Sequence, residues 1–249
     1  MRNRLVYDLP TRLFHWLFAG LFVTAFVIAN TVDDDSPVFA YHMLAGLSLV
    51  FAVILRILWG FVGTRHARFS SFPLRPRRDL LAYVGQVVGR PGERSWAGHN
   101  PASSWAAILM IVCALGLGVT GYLMTSADGR EAYREFHELF ANAFLGIVLL
   151  HLAGIALHVL RHRDGFALSM VDGRKQRASE EDTLADSKPV VGFLFIAPIA
   201  LFVANLARTY DATTQLLPLF GARLQLGEHE DHERGRDHAD QREHEEDEG

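Results

Sequence analysis

The stretch FHELFANAFLGIVLLHLAGIALHVL, Phe136–Leu160, is apolar over a length that spans a lipid bilayer, yet it carries His137, His151 and His158. About 20 apolar residues in a row cover the hydrocarbon core as a helix. An imidazole in that core is expensive unless something binds it, so buried histidines there call for a ligand.

Working outward, four more segments share that character. Spans are predicted over Leu13–Asn30, Tyr41–Val62, Ser103–Met124, Glu138–Leu160 and Val190–Ala207. The fifth is the shortest and contains Pro198, which a membrane helix tolerates. The fold class is therefore all-α integral membrane: a four-helix bundle, a fifth transmembrane helix and a polar tail. Half of the 249 residues are hydrophobic. The net charge of −4 hides an asymmetry, because residues 208–249 hold twelve Asp/Glu against five Arg. That tail, rich in charge and poor in aromatic residues, is expected to be largely disordered. Cys113 is the single cysteine, which excludes a disulfide within the chain and a C-x-x-C-H haem attachment. No P-loop, G-x-S-x-G or dinucleotide fingerprint sits in a supporting context, and no nucleic-acid partner is expected.

Lys and Arg mark the cytoplasmic side of a membrane protein. Arg2, Arg4 and Arg12 precede the first span, seven arginines fill the 63–102 loop, and Arg161, Arg163, Arg174, Lys175 and Arg177 follow the fourth. The opposite loops carry Asp33, Asp34 and Asp35, and Arg130 and Arg134 among acidic residues. The N-terminus is thus expected in the cytoplasm and the C-terminus outside. The competing reading of the first span as a cleaved signal peptide is disfavoured by its length and by His15 in RLFHW.

Placed by depth, the histidines fall on two levels. His42 and His137 lie near the outer ends of the second and fourth spans. His15 lies near the inner end of the first, and His151 lies 14 residues after His137, about 21 Å deeper and close to the same helix face. Two bis-histidine sites stacked across the bundle suit six-coordinate iron in non-covalent haem b. Zinc would want carboxylate or cysteine ligands as well, and the spans offer no such set. Gly46, Ala141, Ala19 and Gly154 stand one turn from these histidines, where a flat macrocycle needs small neighbours; plain small-residue helix packing is the alternative. Arg12 and Arg56 are the charges nearest the inner level, suited to propionates or else snorkelling to the interface. His158 is read as interfacial, with inner ligand or quinone contact as alternatives, and His66, His99 and His162 as solvated.

Four stretches together resemble the bacterial cytochrome b561 family, which includes the b-type cytochrome subunits of nickel–iron hydrogenases. They are YDLPTRLFHWLFA at Tyr7–Ala19, HMLAGLSLVFAVILRILWGFVGTRHARFSSF at His42–Phe72, GHNPASSW at Gly98–Trp105 and HELFANAFLGIVLLHLAGI at His137–Ile155. The resemblance covers roughly residues 5–175. It implies a di-haem core that exchanges electrons between a quinone pool and a partner redox protein, with His15, His42, His137 and His151 as the iron ligands. It also implies a bacterial inner-membrane location.

The expected organisation is a di-haem domain over 1–177, a cytoplasmic linker 178–189, the fifth helix 190–207 and a periplasmic tail 208–249. The expected function is electron transfer between quinone and a c-type cytochrome or a hydrogenase-like oxidoreductase subunit. A stand-alone superoxide:quinone oxidoreductase is one alternative, although the acidic Asp33–Asp35 loop would repel an anion. A metal transporter or sensor using His229, His232, His238 and His244 of the tail is another. Arg56, Trp59 and His158 are candidate quinone contacts on the inner side, and Tyr41, Asn142 and Tyr133 on the outer.

Overall fold

A computed structural model describes residues 3–87, 98–126, 130–162, 166–175 and 178–226. The tail histidines His229, His232, His238 and His244, and several of the basic loop residues, fall outside that set, as does the His162 side chain.

Among the described residues, five helices are long and apolar enough to cross a membrane. They are α1 (Leu9–Thr31), α2 (Ala40–Val62), α4 (Pro101–Ser126), α5 (Arg130–His162) and α7 (Pro189–Thr209). Two short helices, α3 (Leu81–Val87) and α6 (Ser169–Asp172), lie between them. The chain is a multi-pass membrane protein, with no net inside-out patterning to speak of: large apolar side chains face outward along every span.

Two of the long helices begin at a side-chain cap that the sequence offers. Asp8 caps α1, its Oδ1 accepting from the Thr11 N–H at 2.8 Å, with Pro10 in the first turn. Asn100 plays the same part before α4, its Oδ1 accepting from Ser103 N–H at 2.8 Å.

α4 packs along α5, α1 along α2, and α2 also against α4; α7 lies outside this set against α1 and α2. One apolar cluster (Leu49, Val53, Ile111 and Ala114, with Phe14, Phe18 and Phe22) joins α1, α2 and α4. α2 and α4 approach closely at Gly118, where an added Cβ would lie 2.5 Å from Val50. Phe195 and Ile199 of α7 pack on Ala52 of α2.

"Inner" below denotes the end of the bundle holding the chain's N-terminus, and "outer" the opposite end. At the inner end, strands β1 (Arg4–Leu5) and β2 (Arg174–Lys175) pair antiparallel, and the segment before α7 runs beside them through Leu184 N–H to Leu5 O and Leu9 N–H to Ser187 O.

One expectation needs correction. Residues 208–226, read as part of a disordered tail, are folded. α7 runs on to Thr209, and strands β3 (Leu216–Leu219) and β4 (Ala222–Gln225) form an antiparallel hairpin. Its turn residues Phe220 and Gly221 both have positive φ, the pattern of tight hairpin turns. Leu217, Leu224 and Leu226 are buried with Leu206 of α7 and Ala40 of α2. The acidic composition that argues for disorder belongs to the residues after the hairpin.

Candidate functional site

The outer level is built by four helices. His42 of α2 and His137 of α5 face each other with ring centroids 6.2 Å apart and planes crossing at 67°. Each ring is held through Nδ1. His42 Nδ1 is 2.9 Å from the Ala25 carbonyl of α1, and Phe39 stacks on the ring at 5.2 Å. His137 Nδ1 is 2.9 Å from the Thr120 hydroxyl of α4. With Nδ1–H spent on an acceptor, the lone pair of each ring sits on Nε2. A Cβ built on Gly46, one turn after His42, would meet no atom within 4 Å.

At the inner level, His15 of α1 and His151 of α5 lie within electrostatic reach of each other. His15 Nδ1 is buried without a hydrogen-bond partner. Between the two levels sits Phe144, seven residues from each α5 histidine and 1% exposed, its ring 4.5 Å from Phe22 and 5.5 Å from Phe18. The structure thus brings His42 and His137 together ring to ring at the outer level, and His15 and His151 near each other at the inner level.

The inner level adjoins a polar cluster that the sequence does not announce. Arg56 is 4% exposed, so it does not snorkel: Nη2 donates to Ala67 O at 3.0 Å, and the guanidinium lies over the rings of Phe69 and Phe14. Asp8, also buried, lies within electrostatic reach of it and accepts from Trp59 Nε1 at 3.2 Å and from Thr64 Oγ1 at 2.5 Å. Arg12 Nη1 donates to Val171 O. Arg12 Nε, Arg56 Nη1 and His99 Nδ1 join His15 Nδ1 as buried polar atoms without partners.

Two histidines read as solvated are enclosed. His66 is buried and its Nε2 lies 2.8 Å from Asp182 O, while His99 packs on the rings of Phe72 and Tyr7. Burial holds both imidazoles below their ordinary pKa, and for His99 the charges of Arg56 and Lys175 add to it. Trp59 and Arg56, read as quinone contacts, are turned to these internal partners, whereas His158 is half-buried on α5. On the outer side Tyr41 and Asn142 are exposed and Tyr133 is half-buried.

Of the residues that sequence reasoning missed, Asp8 carried the clearest signal, since Asp–Leu–Pro before an apolar run is a helix start. Thr120 carried none: a lone threonine in an apolar helix is ordinary.

The family model for prokaryotic cytochrome b561 matches residues 6–173. A probable Ni/Fe-hydrogenase B-type cytochrome subunit of Rhizobium leguminosarum bv. viciae is 24% identical over 218 residues, covering 71% of this chain and 90% of the relative. Its counterpart from Rhodobacter capsulatus is 29% identical over 210 residues (68% and 80%), and that of hydrogenase 1 from Escherichia coli K12 is 25% identical over 148 residues (51% and 62%). No solved structure matches the chain.

Proposed function

The chain belongs to the prokaryotic cytochrome b561 family, and from that premise we propose that it is a di-haem cytochrome carrying electrons between the quinone pool and a hydrogenase-like partner. Membership makes it a membrane b-type cytochrome whose work is electron transfer and whose cofactor is haem b. The number of haems, the ligands, the quinone and the partner belong to the proposal.

The observation that carries it is the His42–His137 pair. For metal–nitrogen bonds of about 2 Å and about 1 Å from nitrogen to ring centre, two imidazoles on opposite sides of one metal stand about 6 Å apart. The observed 6.2 Å suits that spacing, with both Nδ1 atoms already engaged and both Nε2 atoms left for iron. His15 and His151 are the second pair. The partnerless Arg12, Arg56 and His99 atoms fit anionic propionates at the inner level. Gly46 keeps the flank of His42 open to a flat group.

When bound, haem b supplies reversible one-electron chemistry at iron. The residues of this chain hold the two sites one above the other on α5, some 21 Å apart along its axis. Phe144, Phe18 and Phe22 fill the space between the levels and keep water out. Asp8 offsets the buried charge of Arg56, which a dry site would otherwise penalise.

The partner rests on the relatives, which are named as hydrogenase cytochrome subunits; a c-type cytochrome is the second candidate. For quinone, the inner candidates are Arg56, Trp59 and His158, of which Trp59 donates to Asp8 and Arg56 to Ala67. Tyr41, Asn142 and Tyr133 form the outer competitor.

Pyridine haemochrome quantification on purified protein tests the core of this. Two extractable haems per chain are expected. His42→Ala and His137→Ala should each remove one and the same haem, and His15→Ala and His151→Ala the other. A content near one or zero would refute the di-haem reading. Loss of the inner haem in His158→Ala but not in His151→Ala would move the inner ligand by two turns.

A further inference from the structure

We infer that Thr120 is a positioning residue for the outer site, whose hydroxyl fixes the ligating nitrogen of His137 and lowers the reduction potential of the iron bound there. The inference rests on the reading of His137 as an iron ligand, and goes beyond it by assigning a role to a residue of another helix.

Thr120 lies on α4, the helix packed along α5, and is 7% exposed. Its Oγ1 is 2.8 Å from the Gly116 carbonyl, 3.3 Å from the Leu117 carbonyl and 2.9 Å from His137 Nδ1. A hydroxyl has one proton to donate. The carbonyl one turn back on its own helix takes that proton, which is the usual habit of threonine in a helix. The oxygen lone pairs then face His137, so Nδ1 carries the ring proton and donates it. Nε2 is left with the lone pair that iron needs.

Such a bond does more than orient the ring. Donation from Nδ1–H makes an imidazole a more basic ligand, a more basic ligand favours ferric over ferrous iron, and the potential falls. His42 receives the same treatment from a backbone carbonyl, Ala25 O, which no side-chain substitution removes. Among the outer supports, which include the Ala25 carbonyl at His42 and the Leu117 carbonyl within reach of His137, Thr120 is the one that a side-chain substitution can reach. The neighbouring Gly121 does not crowd the ring, since even an added Cβ there would stay 3.5 Å from it. His15, whose Nδ1 is buried with no partner, has no equivalent support.

Thr120→Val keeps the shape and removes the acceptor; Thr120→Ser keeps the acceptor. Both are compared with wild type by potentiometric titration of the full-length holoprotein, with haem content measured in the same samples. The outer signal is assigned from His151→Ala, which should retain that haem alone. In Thr120→Val the outer midpoint is expected to move to a more positive value, with the inner midpoint and a content of two haems unchanged. Thr120→Ser should restore the wild-type value. If Thr120→Val sheds the outer haem, Thr120→Cys, with a weak sulfur acceptor, is titrated instead, and a smaller shift in the same direction is expected. An unshifted or more negative outer midpoint would overturn the inference; the second of these would mean that the ring turns its Nδ1–H to the Leu117 carbonyl, which also lies within reach of it. Failure of the reading beneath it looks different: His137→Ala would then keep both haems.

Discussion

Histidine occupies two kinds of setting in this chain, separated by what surrounds each ring. His42 and His137 meet ring to ring across the bundle, each with its Nδ1 at an oxygen. His66 and His99 are enclosed at the inner end, outside the spans, and burial keeps them neutral; for His66 the Asp182 carbonyl and carboxylate partly oppose that, while Arg65 and Lys175 reinforce it. A histidine whose folded pKa is depressed binds fewer protons when folded than when unfolded below its unfolded pKa of about 6.5. Their contribution to stability is therefore complete above that pH and is lost as pH falls through and below it. Thermal unfolding of the detergent-solubilised protein should show a lower midpoint at pH 5.5 than at pH 7.5. His66→Gln, which can still donate to Asp182 O, should reduce that difference, and an equal drop in wild type and variant would count against the assignment. The enclosure itself was not legible beforehand. A histidine in a polar loop is ordinarily solvated, and only the meeting of the 64–68 turn, the 98–100 turn and the strap before α7 buries these two.

At the level of elements, the spans were legible because apolarity over about 20 residues depends on the bilayer and not on the packing partners. The first was expected at Leu13–Asn30 and runs Leu9–Thr31; the second was expected at Tyr41–Val62 and runs Ala40–Val62. The early start of α1 follows from the Asp8 cap, a signal that hydropathy does not register. The hairpin was missed for a different reason. LLPLFGARLQL lies in a stretch whose average composition is dominated by the carboxylates after it, and the weight given to that average hid a local β pattern around Phe220–Gly221. The hairpin joins α7 to the outer end of α2, on the face of α2 opposite His42: Ala40, Met43, Leu44 and Leu47 meet the hairpin and the end of α7. Leu224→Ala removes a side chain that is 1% exposed from this junction and should cost about 2–5 kcal/mol, the usual range for a buried leucine. Chemical unfolding in detergent reads this, and a cost below about 1 kcal/mol would mean that the hairpin contributes little to holding α2. Haem content should be unchanged, since the junction is on the back of the helix.

For the molecule as a whole, the arrangement of charge decides which end faces the cytoplasm. The inner end gathers the β1–β2 pair, the buried cluster around Asp8 and Arg56, and basic loop residues such as Arg4, Arg65 and Arg174, with Arg65 also paired to Asp182. The outer end carries Asp33, Asp34 and Asp35, with Arg134 paired to Asp34 and Glu138. Basic loops stay on the side from which a membrane protein is inserted, so the inner end is expected in the cytoplasm. Five crossings are then expected to place the hairpin on the periplasmic side. α7 is the critical element, since it carries Pro198, lies on the bundle's outside and falls beyond the matched residues 6–173. Its window of high hydropathy and its packing of Phe195 and Ile199 on Ala52 argue for a full crossing. A helix that merely lay at the interface would leave the hairpin at the wrong end of α2 to bury Leu224 against Ala40. Alkaline phosphatase, active only outside the cytoplasm, separates the two arrangements. A fusion after Gly227 should be active and one after Arg174 inactive. Activity only at Arg174 would invert the whole bundle, and inactivity at both would mean that α7 does not cross.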